Sequence, residues 1–352
     1  MDINNIFKLA ASKNASDVHL LSGQVPMFRI DGGLIDINKL KLEEPYTPLT
    51  ATNLEIFTDT MLTRDQKVAF LSKRDLDVGY QVGEYRFRVN FSYEKNNIAI
   101  VARVISEKKP TLAEIGMPPV VAELLNLPQG FILITGPTGC GKSTTLAAMI
   151  NHINQNYTCN IITLEDPIEY IFKSDKSIIS QRQLGTDMIS FASGLTHVLR
   201  QDPNVIMLGE MRDLETISTA VTLAETGHLV LATLHTYSAA QTVDRIIDSF
   251  PPYQQNQIKS QLSNVLTAVI SQRLLPRQKG GRIAAREILI NNAAVANLIR
   301  EGKVAQIKSV IETNRSTGMI TLDRHIVELY KNGEISRVTA ERNMQDASLL
   351  DS

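Results

Sequence analysis

Two rhythms of apolar and polar residues divide the chain. Up to about residue 105, short apolar stretches alternate with polar positions at the two-residue spacing of half-buried strands, with a few amphipathic helices between them. From residue 131 onward, unbroken apolar runs alternate with helical patterns. That implies a mainly parallel sheet covered by helices.

In the first part, residues 2–11 predict a helix with Ile3, Ile6, Phe7 and Ala10 on one face. Strands are expected at 16–21, 25–30 and 34–37, the last two joined by a turn at 31–33. A loop at 40–49 precedes helices at 50–60 and 63–72, the second opened by a Thr63–Gln66 capping box. Further strands follow at 77–82, 85–93 and 98–105. Residues 85–93 alternate strictly. Tyr85, Phe87, Val89, Phe91 and Tyr93 face one way, and Arg86, Arg88, Asn90 and Ser92 the other. Arg103 falls on a neighbouring strand, so three arginines share one side of a sheet. Two readings stand side by side: an ordinary solvated sheet face, or a platform that binds anions through guanidinium forks.

Residues 106–119 are charged and interrupted by proline, with room for a helical turn at 111–115. They mark a linker between an N-terminal α+β domain (1–105) and an α/β domain (120–352) that ends in a helical region. In the second domain, strands are expected at 131–135, 160–164, 204–208 and 228–235. Helices are expected at 190–201, 215–226 and 236–248, and a long one at 254–274. A hairpin around 279–281 leads into a strand at 282–290. Helices then run at 293–300, 304–313 and 319–332, with a last one from 336.

Composition narrows the function classes. A chain of 352 residues with 43% hydrophobic and 21% charged residues fits two globular domains. Net charge is −1, and residues 1–105 carry 13 basic and 13 acidic side chains, which argues against a nucleic-acid motor. No apolar run is long enough to span a bilayer, and the N-terminus lacks a signal-peptide pattern, so a cytoplasmic location is expected. The two cysteines, Cys140 and Cys159, form no CxxC pair. Neither a zinc site nor a disulfide framework is implied.

The chemistry centres on residues 131–145. A strand runs into Gly136-Pro137-Thr138-Gly139-Cys140-Gly141-Lys142-Ser143-Thr144, and a helix follows. This is the G-x-x-x-x-G-K-[ST] phosphate loop in its required strand–turn–helix setting. Glycines let backbone N–H groups cradle phosphate oxygens, and the helix N-terminus adds its positive dipole end. Lys142 then reaches the β- and γ-phosphates of ATP, and Ser143 ligates Mg²⁺. The strand 204–208 ends in Gly209-Glu210, a Walker-B-like element. Its carboxylate orients and deprotonates the attacking water, directly or through Mg²⁺. Glu165 and Asp166 end another strand and are candidates to hold Mg²⁺ through water. His228 and His235 bracket a strand too long for them to share a metal. They either sense the γ-phosphate or hydrogen-bond a neighbour.

Residues 136–145, 162–170, 205–213 and 227–244 resemble, in that order, the Walker A, Asp-box, Walker B and His-box elements of one P-loop ATPase superfamily. Its members serve type II and type IV secretion, pilus assembly and twitching motility. Within it, Gly-Glu-Met-Arg-Asp-Leu-Glu-Thr (209–216), Ala-Glu-Thr-Gly-His-Leu-Val (224–230) and Thr-Leu-His-Thr (233–236) are similar to the pilus retraction ATPases. Asp17-Val-His-Leu, Arg86-Phe-Arg-Val-Asn and Asn297-Leu-Ile-Arg-Glu extend the likeness over nearly the whole chain.

The resemblance implies a PAS-like N-terminal domain and a RecA-like ATPase domain. It also implies a homohexamer on the cytoplasmic face of the inner membrane, driving retraction through the pilus platform protein. It makes Glu210 the catalytic glutamate, Glu165 the Asp-box acid, and His228 and His235 the His-box residues. It assigns Arg86, Arg88 and Arg103 to the nucleotide phosphates. Two positions depart from the pattern. Cys140 stands where serine is usual, and Ala296 stands where the retraction motif has arginine. Extension and type II secretion ATPases carry a longer N-terminal region and a tetracysteine zinc insert that two cysteines cannot make. A type IVB secretion ATPase and a RecA-like nucleic-acid motor are the alternatives.

Overall fold

The computed structural model describes residues 2–30, 33–40, 45–105 and 109–351. The first two residues of the expected 31–33 turn, loop residues 41–44 and linker residues 106–108 lie outside the described residues. The chain forms two units. The first is Met1–Lys108 with Pro167–Ile171, and the second is Lys109–Asp166 with Phe172–Ser352.

The first unit holds β1 (Asp17–Leu20), β2 (Met27–Ile30), β3 (Gly33–Asp36), β4 (Asp75–Val82), β5 (Tyr85–Glu94) and β6 (Asn97–Ile105). They form an antiparallel sheet in the order β3-β2-β1-β6-β5-β4. The helices Ile3–Ser12, Ala51–Met61 and Arg64–Lys73 supply Ile6, Phe7, Phe57 and Phe70 to its core. The alternation in β5 is real: Phe87, Val89 and Phe91 are buried there, and Phe7 stacks on Phe87 at 4.4 Å. The Thr63–Gln66 capping box forms as expected.

In the second unit, β7 (Gly130–Thr135), β8 (Asn160–Glu165), β9 (Ile178–Gln183), β10 (Val205–Leu208), β11 (Leu229–Leu234), β12 (Leu266–Pro276) and β13 (Arg282–Ile290) make one sheet. The order is β13-β12-β7-β11-β10-β8-β9, parallel throughout except where β13 turns back against β12. Every residue of β7, β10 and β11 is buried. Apolar clusters cover both faces of the sheet, which explains the unbroken apolar runs.

Three stretches differ from expectation. The helix expected over 254–274 stops at Val265, and the rest is β12. With Ala268 to Gln272 all buried, β12 shows no two-residue alternation there. Its run of Val265, Leu266, Ala268, Val269 and Ile270 therefore reads equally well as a buried helix. β9 was not expected, and its strand is largely unburied and polar. Residues 109–119 belong to the fold of the second unit. Leu112 and Met117 are buried there, and the buried Arg286 donates to the carbonyls of Ile115 (2.7 Å) and Gly116 (3.0 Å). Burial pushes the Arg286 guanidinium pKa down to about 10.

Candidate nucleotide site

All the candidate residues of the second unit except His228 lie where its parallel strands end, the edge at which open α/β sheets hold ligands. The loop leaves the C-terminal end of β7, in the middle of the sheet. Gly136 (φ 142°), Gly139 (φ 77°) and Gly141 (φ 91°) take backbone conformations that favour glycine. At Gly136 space matters as much, because a Cβ there would lie 2.3 Å from the carbonyl oxygen of Gln272 on β12. Gly141 is the N-cap of the helix Lys142–Asn156, and no side chain covers the first N–H groups of that helix. Between the glycines, Thr138 is exposed and Pro137 half-buried. Ser143 and Thr144 are half-buried in the first helical turn. The loop thus brings backbone amides to a helix N-terminus, the arrangement that suits an anion.

Lys142 bends back across this loop. Its Nζ donates to the carbonyls of Gly136 (2.7 Å) and Pro137 (3.2 Å) and stands 3.4 Å from His235 Nδ1. On the other side of the same ring, His235 Nε2 is 2.8 Å from Glu210 Oε1. An ammonium only donates and a carboxylate only accepts. The ring therefore takes Lys142 on Nδ1 and donates from Nε2 to Glu210. Arg212 closes the chain, with a guanidinium nitrogen 2.9 Å from Glu210 Oε2. Four side chains thus run in line from the phosphate loop to the end of β10: Lys142, His235, Glu210 and Arg212. Partial burial resists ionisation of Glu210, but the bonds and charges of Arg212 and His235 prevail and hold its pKa below the usual carboxylate value. Glu210 in turn raises the Arg212 pKa, with a smaller contribution from Asp166.

Glu165 ends β8 and is buried, at 7% exposure. Its Oε1 accepts from Thr163 Oγ1 (2.7 Å) and Gln181 Nε2 (3.1 Å). Asp166 beside it is exposed. Among the described residues no three His, Cys, Asp or Glu side chains gather as a metal cage, so Glu165, Asp166 and Glu210 do not form one. The donors present still suit Mg²⁺, which keeps its waters and takes phosphate oxygens with one or two protein oxygens. The Ser143 hydroxyl, half-buried in the first helical turn, is an oxygen of the kind that ion takes.

His228 goes elsewhere. It precedes β11 while His235 follows it, so the strand holds them about 20 Å apart. His228 Nδ1 lies 2.9 Å from the Leu223 carbonyl and 3.3 Å from Thr226 Oγ1, at the far end of the sheet from the loop. Within one chain it serves the turn into β11 and does not meet the nucleotide loop.

The arginines belong to the first unit, with Arg88 directly opposite Arg103 across β5 and β6. Each has a partner in that unit. Arg103 Nε donates to Asp17 (2.9 Å), the residue opposite it on β1. Arg88 lies 3.5 Å from Asp77 and 3.8 Å from Glu169. Arg86 Nε donates to the Ile168 carbonyl at 3.3 Å. The shared face exists, and carboxylates and a carbonyl line it along with the guanidinium groups.

Two residues of the site carried no signal in the sequence. Gln272 was hidden in the stretch read as helix. Arg212 lay within the retraction-like motif without a role of its own.

A glycine-built loop at the C-terminal edge of a parallel sheet, linked through a histidine to an acid two strands away, defines a P-loop NTPase. The chain belongs to the type II/IV secretion system protein family, whose pattern matches residues 1–347, and within it to the ATP-hydrolysing members. It is 43% identical to the type IV pilus retraction ATPase PilT of Pseudomonas aeruginosa, over 97% of both chains. A crystal structure of the pilus retraction motor PilT with bound ADP superimposes with a TM-score of 0.91 at 42% identity, covering 100% of this chain and 99% of the other. The ATPase DotB of Legionella pneumophila superimposes at 0.79 with 28% identity, covering 97% and 94%.

Proposed function

We propose that the chain is the subunit of a homohexameric motor that hydrolyses ATP to retract type IV pili, and so drives twitching motility. The observation that carries this reading is the likeness to the Pseudomonas aeruginosa retraction ATPase from end to end, at 43% identity. The motor works on the cytoplasmic face of the inner membrane against the pilus platform protein. No helix among the described residues is long and apolar enough to cross a membrane.

Each step falls to a named group. The loop amides from Gly136 to Ser143 take the β- and γ-phosphates. Lys142 exchanges the Gly136 and Pro137 carbonyls for phosphate oxygens. Ser143 would hold Mg²⁺, with Glu165 and Asp166 as its carboxylate neighbours, and the ion would supply charge neutralisation at the phosphates. Glu210 accepts the proton of the attacking water. His235 reports to it whether Lys142 is engaged, because one ring touches both. Arg86, Arg88 and Arg103 trade their carboxylate and carbonyl partners for phosphate. A second reading, an ATPase of a type IVB or related secretion system, is favoured by Ala296. It leaves the helix Ala293–Glu301 without the first of the two arginines of the retraction motif, while Arg300 is kept.

Deleting the gene in the source organism and counting surface pili tests this. An excess of pili that do not retract is expected. Absence of pili would assign the chain to assembly, and normal pili with failed secretion would favour the second reading.

A further inference from the structure

The loop amides can face a phosphate only if the loop's own carbonyls are satisfied elsewhere. Cys140 is buried at 3% exposure, so its carbonyl needs a protein donor. That donor is the side chain of Gln272, whose Nε2 lies 2.9 Å from Cys140 O. The other end of the same amide accepts from Thr145 Oγ1 at 2.9 Å, in the first turn of the helix that follows the loop. The two partners fix the amide orientation: the carbonyl only accepts, and the hydroxyl donates to the oxygen that remains. The main-chain oxygen of Gln272 meanwhile stands where a Cβ on Gly136 would be. One residue of β12 therefore touches the loop at its start, its middle and its end. Gln272 is itself buried at 2% exposure, so this strut is shielded from water.

We propose that Gln272 is a positioning residue for the nucleotide phosphates: it sets the width of the loop between residues 136 and 145 without touching substrate. The proposal rests on reading residues 136–143 as the ATP loop. Gln272→Leu keeps a similar bulk but removes both the donor to Cys140 and the acceptor for Thr145. The full chain is assayed for KM and kcat with Mg·ATP, for Mg·ADP affinity by calorimetry, and for its thermal midpoint.

Gln272→Leu is expected to raise KM and weaken Mg·ADP binding by ~10-fold or more, with kcat changed less than ~3-fold and a lower midpoint, because buried polar groups lose their partner. Thr145→Val, which cuts the strut from its other side, is expected to act in the same direction. Combined with Gln272→Leu, it should lose no more than the larger single change. KM within about twofold of wild type in both Gln272→Leu and Thr145→Val would overturn the proposal, as would full additivity of the pair. If the wild-type chain fails to bind Mg·ADP, it is the reading of the loop that falls.

Discussion

The phosphate loop of the second unit and the arginine face of the first both present positive charge, by opposite means. In the loop the charge belongs largely to the backbone: amides at a helix N-terminus, fixed by three glycines and one glutamine. For an anion to enter, the Lys142 ammonium must leave the Gly136 and Pro137 carbonyls. On the arginine face the charge belongs to side chains, and each has its own acceptor at Asp17, Asp77, Glu169 or Ile168. An anion must compete with those acceptors. In the proposed reading the loop is the site of tight phosphate binding. The arginine face is suited to a contact that is made and broken, because the free energy separating carboxylate from phosphate as partner is small.

The sharpest way to break this contrast is at Glu210, the proposed base. Glu210→Gln should bind Mg·ATP as wild type does and turn it over about 10²-fold more slowly, since the amide holds His235 but takes no proton. Steady-state turnover beside calorimetric binding checks this, and turnover at the wild-type rate would remove Glu210 from the chemistry. Next in size, changing Arg86, Arg88 and Arg103 together to glutamine should slow turnover by about tenfold while the melting profile is retained. Unchanged turnover would return those residues to the role of a solvated sheet face. The smallest effect is a shift rather than a loss. Arg212 helps hold the Glu210 carboxyl ionised at low pH, so Arg212→Ala should raise its pKa. A base works only above its pKa. The acidic limb of the kcat–pH profile should then move to higher pH, with the basic limb in place. An acidic limb that stays put would show that Arg212 does not govern the state of Glu210.

The same contrast governs what could be read from the sequence. The phosphate loop was legible because its chemistry is local: glycines, lysine and serine at fixed spacing between a strand and a helix. The strand pattern around Glu210 was legible for the same reason. Gln272 was not, because it reaches the loop only through the pairing of β12 with β7, far apart in sequence. β12 is also too thoroughly buried for its period to distinguish strand from helix. The arginine side of β5 showed in its alternation, but the partners did not. Asp17 meets Arg103 through the β1–β6 register, and Glu169 and Ile168 come from a segment that lies between stretches of the other unit. His228 and His235 looked equivalent as a pair of motif histidines. Only the direction of β11 tells the one beside the loop from the one at the opposite edge.

That segment, Pro167–Ile171, has a consequence for how the protein is made. The first unit is not a continuous length of chain, because five of its residues are encoded beyond the phosphate loop. On the ribosome, a nascent chain that has reached residue 108 holds the whole antiparallel sheet, yet Arg86 still lacks Ile168 and Arg88 still lacks Glu169. N-terminal units usually finish folding first during synthesis. Here completion waits until β7 and β8 have been translated, so the arginine face acquires its last partners only after the nucleotide loop exists.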